Sequence, residues 1–200
     1  MAIVARVPRG PARRAQILDG LVGLFLAAGF LEFSVEDLAE RLQCSKSTLY
    51  AVAPSKEQLI AAVVRDFFRG ATERIEARLA READPVAGIR VYLEAISAEL
   101  APASTAFFAD LDMFGPAREI YAHNTAIAAR RVQGLVQAAR RPGRAPVDAT
   151  FIGAVAGATM RSIQRGEMAA VTGLGDAPAY CLLADLIIAG VTGAPEEPTA

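Results

Sequence analysis

Apolar residues recur three and four positions apart along most of this chain, and nowhere do they alternate with polar ones for long enough to make a strand. A helix shows one face at that spacing, so such a chain builds a core by packing helix on helix. The fold class read from this is all-α. Ile17, Leu21, Leu24, Phe25 and Ala28 mark a helix from Pro11 to Ala28, stopped by Gly29. Ser34, with Asp37 in the acidic third position, caps a short helix from Val35 to about Leu42. Ser45 caps another through Tyr50, which Pro54 ends. Ser55 and Gln58 open a long helix to about Ala80, its stripe made by Leu59, Val63, Phe67, Ala71, Ile75 and Leu79. Asp84 and Pro85 then read as a cap and a first helical residue ahead of Val86, Ile89, Leu93, Ile96 and Leu100. An aromatic segment from Phe107 to Phe114 follows, and then a helix from about Pro116 to Ala139. The breaker Arg141-Pro142-Gly143 precedes two last helices, near Val147 to Arg165 and Pro178 to Val191.

With 53% apolar and 22% charged residues the composition is that of a globular protein. Cys44 and Cys181 lie too far apart in sequence for a metal cluster or a disulfide framework, and a reducing interior suits them. No signal-peptide pattern appears at the start, and Arg161 and Asp185 break the most apolar later stretches, so the expectation is a cytoplasmic protein without a membrane span. The net charge of -1 argues against a partner held by bulk charge. Its distribution points elsewhere: Arg6, Arg9, Arg13 and Arg14 all precede the first acidic residue.

Two short helices joined by a tight turn, with a supporting helix before and a long one after, have the layout of a helix-turn-helix unit. Its second helix begins in the polar stretch CSKSTLY, residues 44 to 50. The hydroxyls and Lys46 can reach base edges and phosphates while Leu49 anchors the helix to the core. Ser45 serves first as an N-cap, with any DNA contact additional.

Over residues 17 to 59 the sequence resembles the TetR family of transcriptional regulators. The pattern runs through Gly29-Phe30, the hydroxyl cap Ser34, the pair Leu38-Ala39, the run Ser45 to Tyr50 and the run Pro54 to Glu57. The resemblance implies that Lys46, Ser47 and Thr48 face DNA, with Ser34, Tyr50 and Lys56 on phosphates. Gln43 stands where the family usually has a turn glycine, so a left-handed turn there would carry strain. Ala51, Val52 and Ala53 replace a His or Tyr followed by Phe. Val52 therefore offers no polar phosphate contact, and the N-terminal arginines are placed to compensate.

The organisation that follows is a helix-turn-helix domain over 1–56, a linking helix over about 55–80, a helical effector-binding and dimerisation domain over 84–193 and a disordered tail over 194–200. For the second domain the resemblance is architectural and names no ligand. Phe107, Phe108, Met113, Phe114 and Tyr121 are candidates to line a pocket for a mostly apolar effector, with His123 and Asn124 as polar contacts, although aromatic residues at helical spacing also serve as core. Gly153 and Gly157, together with Leu182, Leu183, Leu186 and Ile187, are candidates for a homodimer interface or for the subunit's own core. Together these give a repressor of a near-palindromic duplex operator that a small molecule releases. The alternative is a DNA-binding protein governed by a partner or by no effector. An enzyme using His123 with Asp110 or Asp112 lacks a supporting motif, and no cofactor, metal or catalytic residue is assigned.

Overall fold

In a computed structural model, residues 10–140 and 148–193 are described. Arg6 and Arg9, the Arg141-Pro142-Gly143 breaker and the 194–200 tail lie outside them. The described residues form helices and no strand: α1 (Pro11–Ala28), α2 (Val35–Arg41), α3 (Lys46–Tyr50), α4 (Lys56–Leu79), α5 (Pro85–Leu100), α6 (Thr105–Met113), α7 (Gly115–Ala139), α8 (Ala149–Gln164), α9 (Glu167–Thr172) and α10 (Asp176–Thr192). The caps act as their residue types predict. Ser34, Ser45, Ser55 and Ser104 each accept a backbone N–H from the first turn of the following helix, and Asp84 and Asp148 each accept two. The helix α9 has no counterpart in the apolar spacing. It buries none of its residues, and left-handed glycines, Gly166 and Gly173, delimit it.

Two clusters of buried side chains organise these helices. The first joins α1, α2, α3 and the front half of α4 to α6 and the start of α7. Its centre is aromatic. Phe30, just past α1, meets Phe25 at 5.3 Å and Phe107 of α6 at 6.1 Å between ring centroids. Phe107 packs edge-on against Phe67 at 5.8 Å, and Phe68 stacks on Tyr121 of α7 at 5.8 Å. Phe107 and Phe108 are thus core, and they tie the helix-turn-helix head to the rest of the chain. The second cluster holds the back half of α4 with α5, α7, α8 and α10.

At the α7–α8 contact the two helices approach closely through glycines. A Cβ on Gly153 would stand 2.8 Å from the Ala129 carbonyl oxygen, and one on Gly157 would stand 3.1 Å from Ala129 Cβ. Both glycines, expected as candidates for an interface between subunits, face inward onto α7 of the same chain. Leu183 and Ile187 are likewise buried within the second cluster.

Phe107 is 1% exposed and touches rings from the head, from α4 and from its own helix. Phe107→Ala should cost about 3–5 kcal/mol of stability, as a large-to-small change at a packed site does, and chemical denaturation of the variant measures it.

Candidate DNA-binding and effector sites

Between α2 and α3 the chain turns through Leu42, Gln43 and Cys44, and Cys44 N–H donates back to the Ala39 carbonyl at 2.9 Å. Gln43 has φ 48, the sole positive φ outside glycine among the described residues. The strain expected from the missing turn glycine is therefore present. The turn delivers α3 with Leu49 buried beneath it and Ser45, Lys46, Ser47 and Tyr50 exposed above. Ser45 Oγ accepts Thr48 N–H at 3.2 Å and lies 2.7 Å from Ser47 Oγ and 2.9 Å from Thr48 Oγ1, so the three hydroxyls form one cluster. Ser34 is committed to a capping box with Asp37.

Both lysines of the head have protein partners. Lys46 is ion-paired with Glu36 in the first turn of α2, and that hydrogen bond is the main cause holding the exposed Glu36 carboxyl below its usual range. Lys56 Nζ donates to the Leu31 carbonyl at 2.8 Å, which leaves further N–H groups of the ammonium available. Arg13 and Arg14 of α1 line an open groove with Ile17, Thr48, Ala51 and Val52. Basic side chains thus flank the C-terminal end of α3, where Val52 offers none. Ala53 is buried beneath.

The head is latched to α6. Asp110 accepts the backbone N–H groups of both Phe30 and Leu31, the latter at 2.9 Å, and Ser104 N–H donates to the Leu26 carbonyl at 2.7 Å. Gly29 sits between with φ +76, and a Cβ there would meet Asp110 Oδ2 at 2.6 Å and the Ala106 carbonyl at 3.3 Å. Only glycine satisfies both the left-handed backbone and the close approach. Asp112 pairs with Arg165, the residue that caps the C-terminus of α8, at 2.9 Å. His123 is exposed on α7, so the three residues of the enzyme reading do separate work. Among the described residues no group of three His, Cys, Asp or Glu could hold a metal ion.

A cavity opens between α4, α5, α7 and α8, with ≈ 40 Å³ free to the centre of a water molecule, room for about three waters. Its wall includes Phe68, Tyr92, Tyr121, Asn124, Glu76, Glu99 and Gln164. Of the sequence candidates for a pocket, Tyr121 and Asn124 reach it. Phe107 and Phe108 do not, Met113 is 77% exposed, Phe114 packs on Phe30, and His123 points to solvent. Gln164 links the rings of the interior, accepting from Tyr121 and donating to Tyr180 at 2.7 Å, and burial pushes the Tyr121 hydroxyl up to about 12. Phe68, Tyr92, Glu76 and Glu99 escaped the sequence reading. Each sits beside a stripe residue on its own helix, and only the meeting of four helices shows that they share a wall.

The outer faces of α8 and α10 form an apolar groove of about 370 Å³ lined by Ile152, Val155, Leu182, Leu186 and their neighbours. Leu186 is 72% exposed and Phe151 65% exposed. Phe151 carried a readable signal, a lone aromatic beside the glycine stripe of α8.

The strained turn yields a test. Gln43→Gly removes the left-handed penalty and should stabilise the head by up to about 1 kcal/mol, read as a rise in melting temperature.

A family model of bacterial regulatory proteins, tetR family, matches residues 17–63. No curated protein matches the sequence. Among solved structures, one described as a transcriptional regulator from Saccharomonospora viridis in complex with choline has a TM-score of 0.73 at 17% identity, covering 89% of this chain and 96% of its own. A TetR-family transcriptional regulator from Streptomyces coelicolor has a TM-score of 0.71 at 16% identity, covering 90% of this chain and 96% of its own. The fatty acid degradation regulator of Bacillus halodurans has a TM-score of 0.68 at 13% identity, covering 94% of this chain and 100% of its own. At such identities the likeness is one of fold, and it runs nearly the length of the chain, whereas the family match is local to the head. Residues 17–63 of the head thus match the tetR family of bacterial regulatory proteins, and α1 to α10 together have the fold of TetR-family transcriptional regulators.

Proposed function

We propose that this protein is a cytoplasmic, homodimeric repressor that holds a near-palindromic duplex operator and is released from it by a small molecule seated among α4, α5, α7 and α8. One observation carries the reading: the α2–turn–α3 unit presents Lys46, Ser47 and Thr48 on a helix anchored by Leu49, within the segment that matches the family model. The roles of Ser34, Ser45, Tyr50 and Lys56 at DNA belong to the same proposal. Among the described residues no helix is long and apolar enough to cross a membrane. The effector part draws on the cavity and on the choline held by the relative of similar fold. A second reading, DNA binding without an effector, draws on the small size of that cavity, below the usual range for ligand pockets.

Selection from a random duplex pool tests the DNA function, and a near-palindrome should emerge. Lys46→Ala should change the sequence preference. Lys56→Ala should weaken binding to all sequences alike and lower the salt slope by about one phosphate contact. A pool that yields no preferred duplex overturns the reading.

The exposed side chains Phe151, Val155, Leu182 and Leu186 give α8 and α10 a face for a second copy of the chain, and a dimer matches a two-fold operator. Light scattering should show a dimer at micromolar concentration for the parent chain and a monomer for Leu186→Asp. A parent chain that remains a monomer even with operator present removes this part of the proposal.

A further inference from the structure

Tyr92 lies in the cavity wall with 5% of its surface exposed, and its hydroxyl has no hydrogen-bond partner among the described residues. Among the described residues no side-chain oxygen or nitrogen closed off from solvent lacks a partner, so this hydroxyl keeps a solvent-accessible face on which a guest can bond. Burial first, and then the nearby Glu76 carboxylate, push its pKa up against a smaller opposing effect of Arg131, so it stays neutral and able to donate. Phe68 and Tyr121 add their stacked rings to the same wall. So do the carboxylates of Glu76 and Glu99, whereas no lysine, arginine or histidine lines the space.

Both carboxylates are paired with arginines that lie outside the lining. Arg131 donates to Glu76 at 2.9 and 3.0 Å, and Arg74 donates to Glu99 at 2.6 and 2.9 Å. Glu76 and Glu99 stand in the cavity wall, whereas Arg131 and Arg74 do not, so the carboxylate of each pair borders the space and its guanidinium does not. Aromatic π-systems add negative potential of their own, and they attract cations with little hydration.

We infer that this cavity takes a compact organic cation of the quaternary ammonium class, with the rings of Phe68, Tyr92 and Tyr121 around the charge and the Tyr92 hydroxyl on a polar substituent. The inference rests on the effector reading above and replaces a mostly apolar effector with a charged one. A neutral guest of the same shape would gain the rings and lose the field.

The test is calorimetric titration of the full-length protein with choline and with 3,3-dimethyl-1-butanol, its uncharged isostere, followed by release from the selected operator. Choline should bind at least about tenfold tighter than the alcohol and should release the operator. Glu99→Gln should weaken choline about tenfold while leaving the alcohol unchanged, and Glu76→Gln serves if that variant melts early. Equal binding of the alcohol overturns the cation assignment and leaves the effector reading standing. Choline bound without operator release supports the assignment and overturns the effector reading. Binding of neither at high millimolar concentration overturns both for this cavity.

Discussion

A single carboxylate closes the joint on which the architecture turns. Asp110 of α6 takes the amide hydrogens of Phe30 and Leu31, and Lys56 takes the Leu31 carbonyl from the other side. The short segment between α1 and α2 is thereby hydrogen-bonded from both the body and the start of α4. Unpaired amides buried at such a joint would cost more than the bonds contribute, so the contact is held in a definite geometry. The aromatic cluster behind it supplies the area, and the carboxylate supplies the register.

Under the proposed effector reading, that joint would give the cavity a route to the head. Phe68 and Tyr121 belong to the aromatic cluster and also stand in the cavity wall. A guest that moves either ring pushes on Phe67, Phe107 and Phe108, and so on α6 and its grip on Phe30. Closely packed interiors transmit such displacements instead of absorbing them. A ligand that prefers one position of the ring pair also prefers one position of the head, which is the differential affinity that coupling requires.

Much of this was legible in the residues. Helix starts followed from the Ser and Asp caps because a cap is a local transaction between one side chain and the amides of the next turn. Gln43 announced its strained turn for a similar reason: φ beyond zero is a property of one residue and its missing glycine. The head was readable because its spacing is short-range. The cavity was not. Tyr92 and Glu99 lie on one helix, Glu76 on another and Tyr121 on a third, and nothing in their order marks a common wall. Nor does a glycine pair four apart say which neighbour it admits: Gly153 and Gly157 admit α7 of their own chain.

The ion pair of Lys46 with Glu36 bears on how such a head finds its site. Non-specific association with DNA draws on the release of condensed counterions, one for each phosphate that a free basic group neutralises. A lysine already matched to a carboxylate contributes little to that indiscriminate hold, and its anionic neighbour is repelled by the backbone. Under the role proposed for Lys46, the pair would open only where a base edge offers the ammonium an acceptor. On the same reading, residence on the many wrong sequences would be shortened, because the lysine that reads bases would add little to the hold on phosphates.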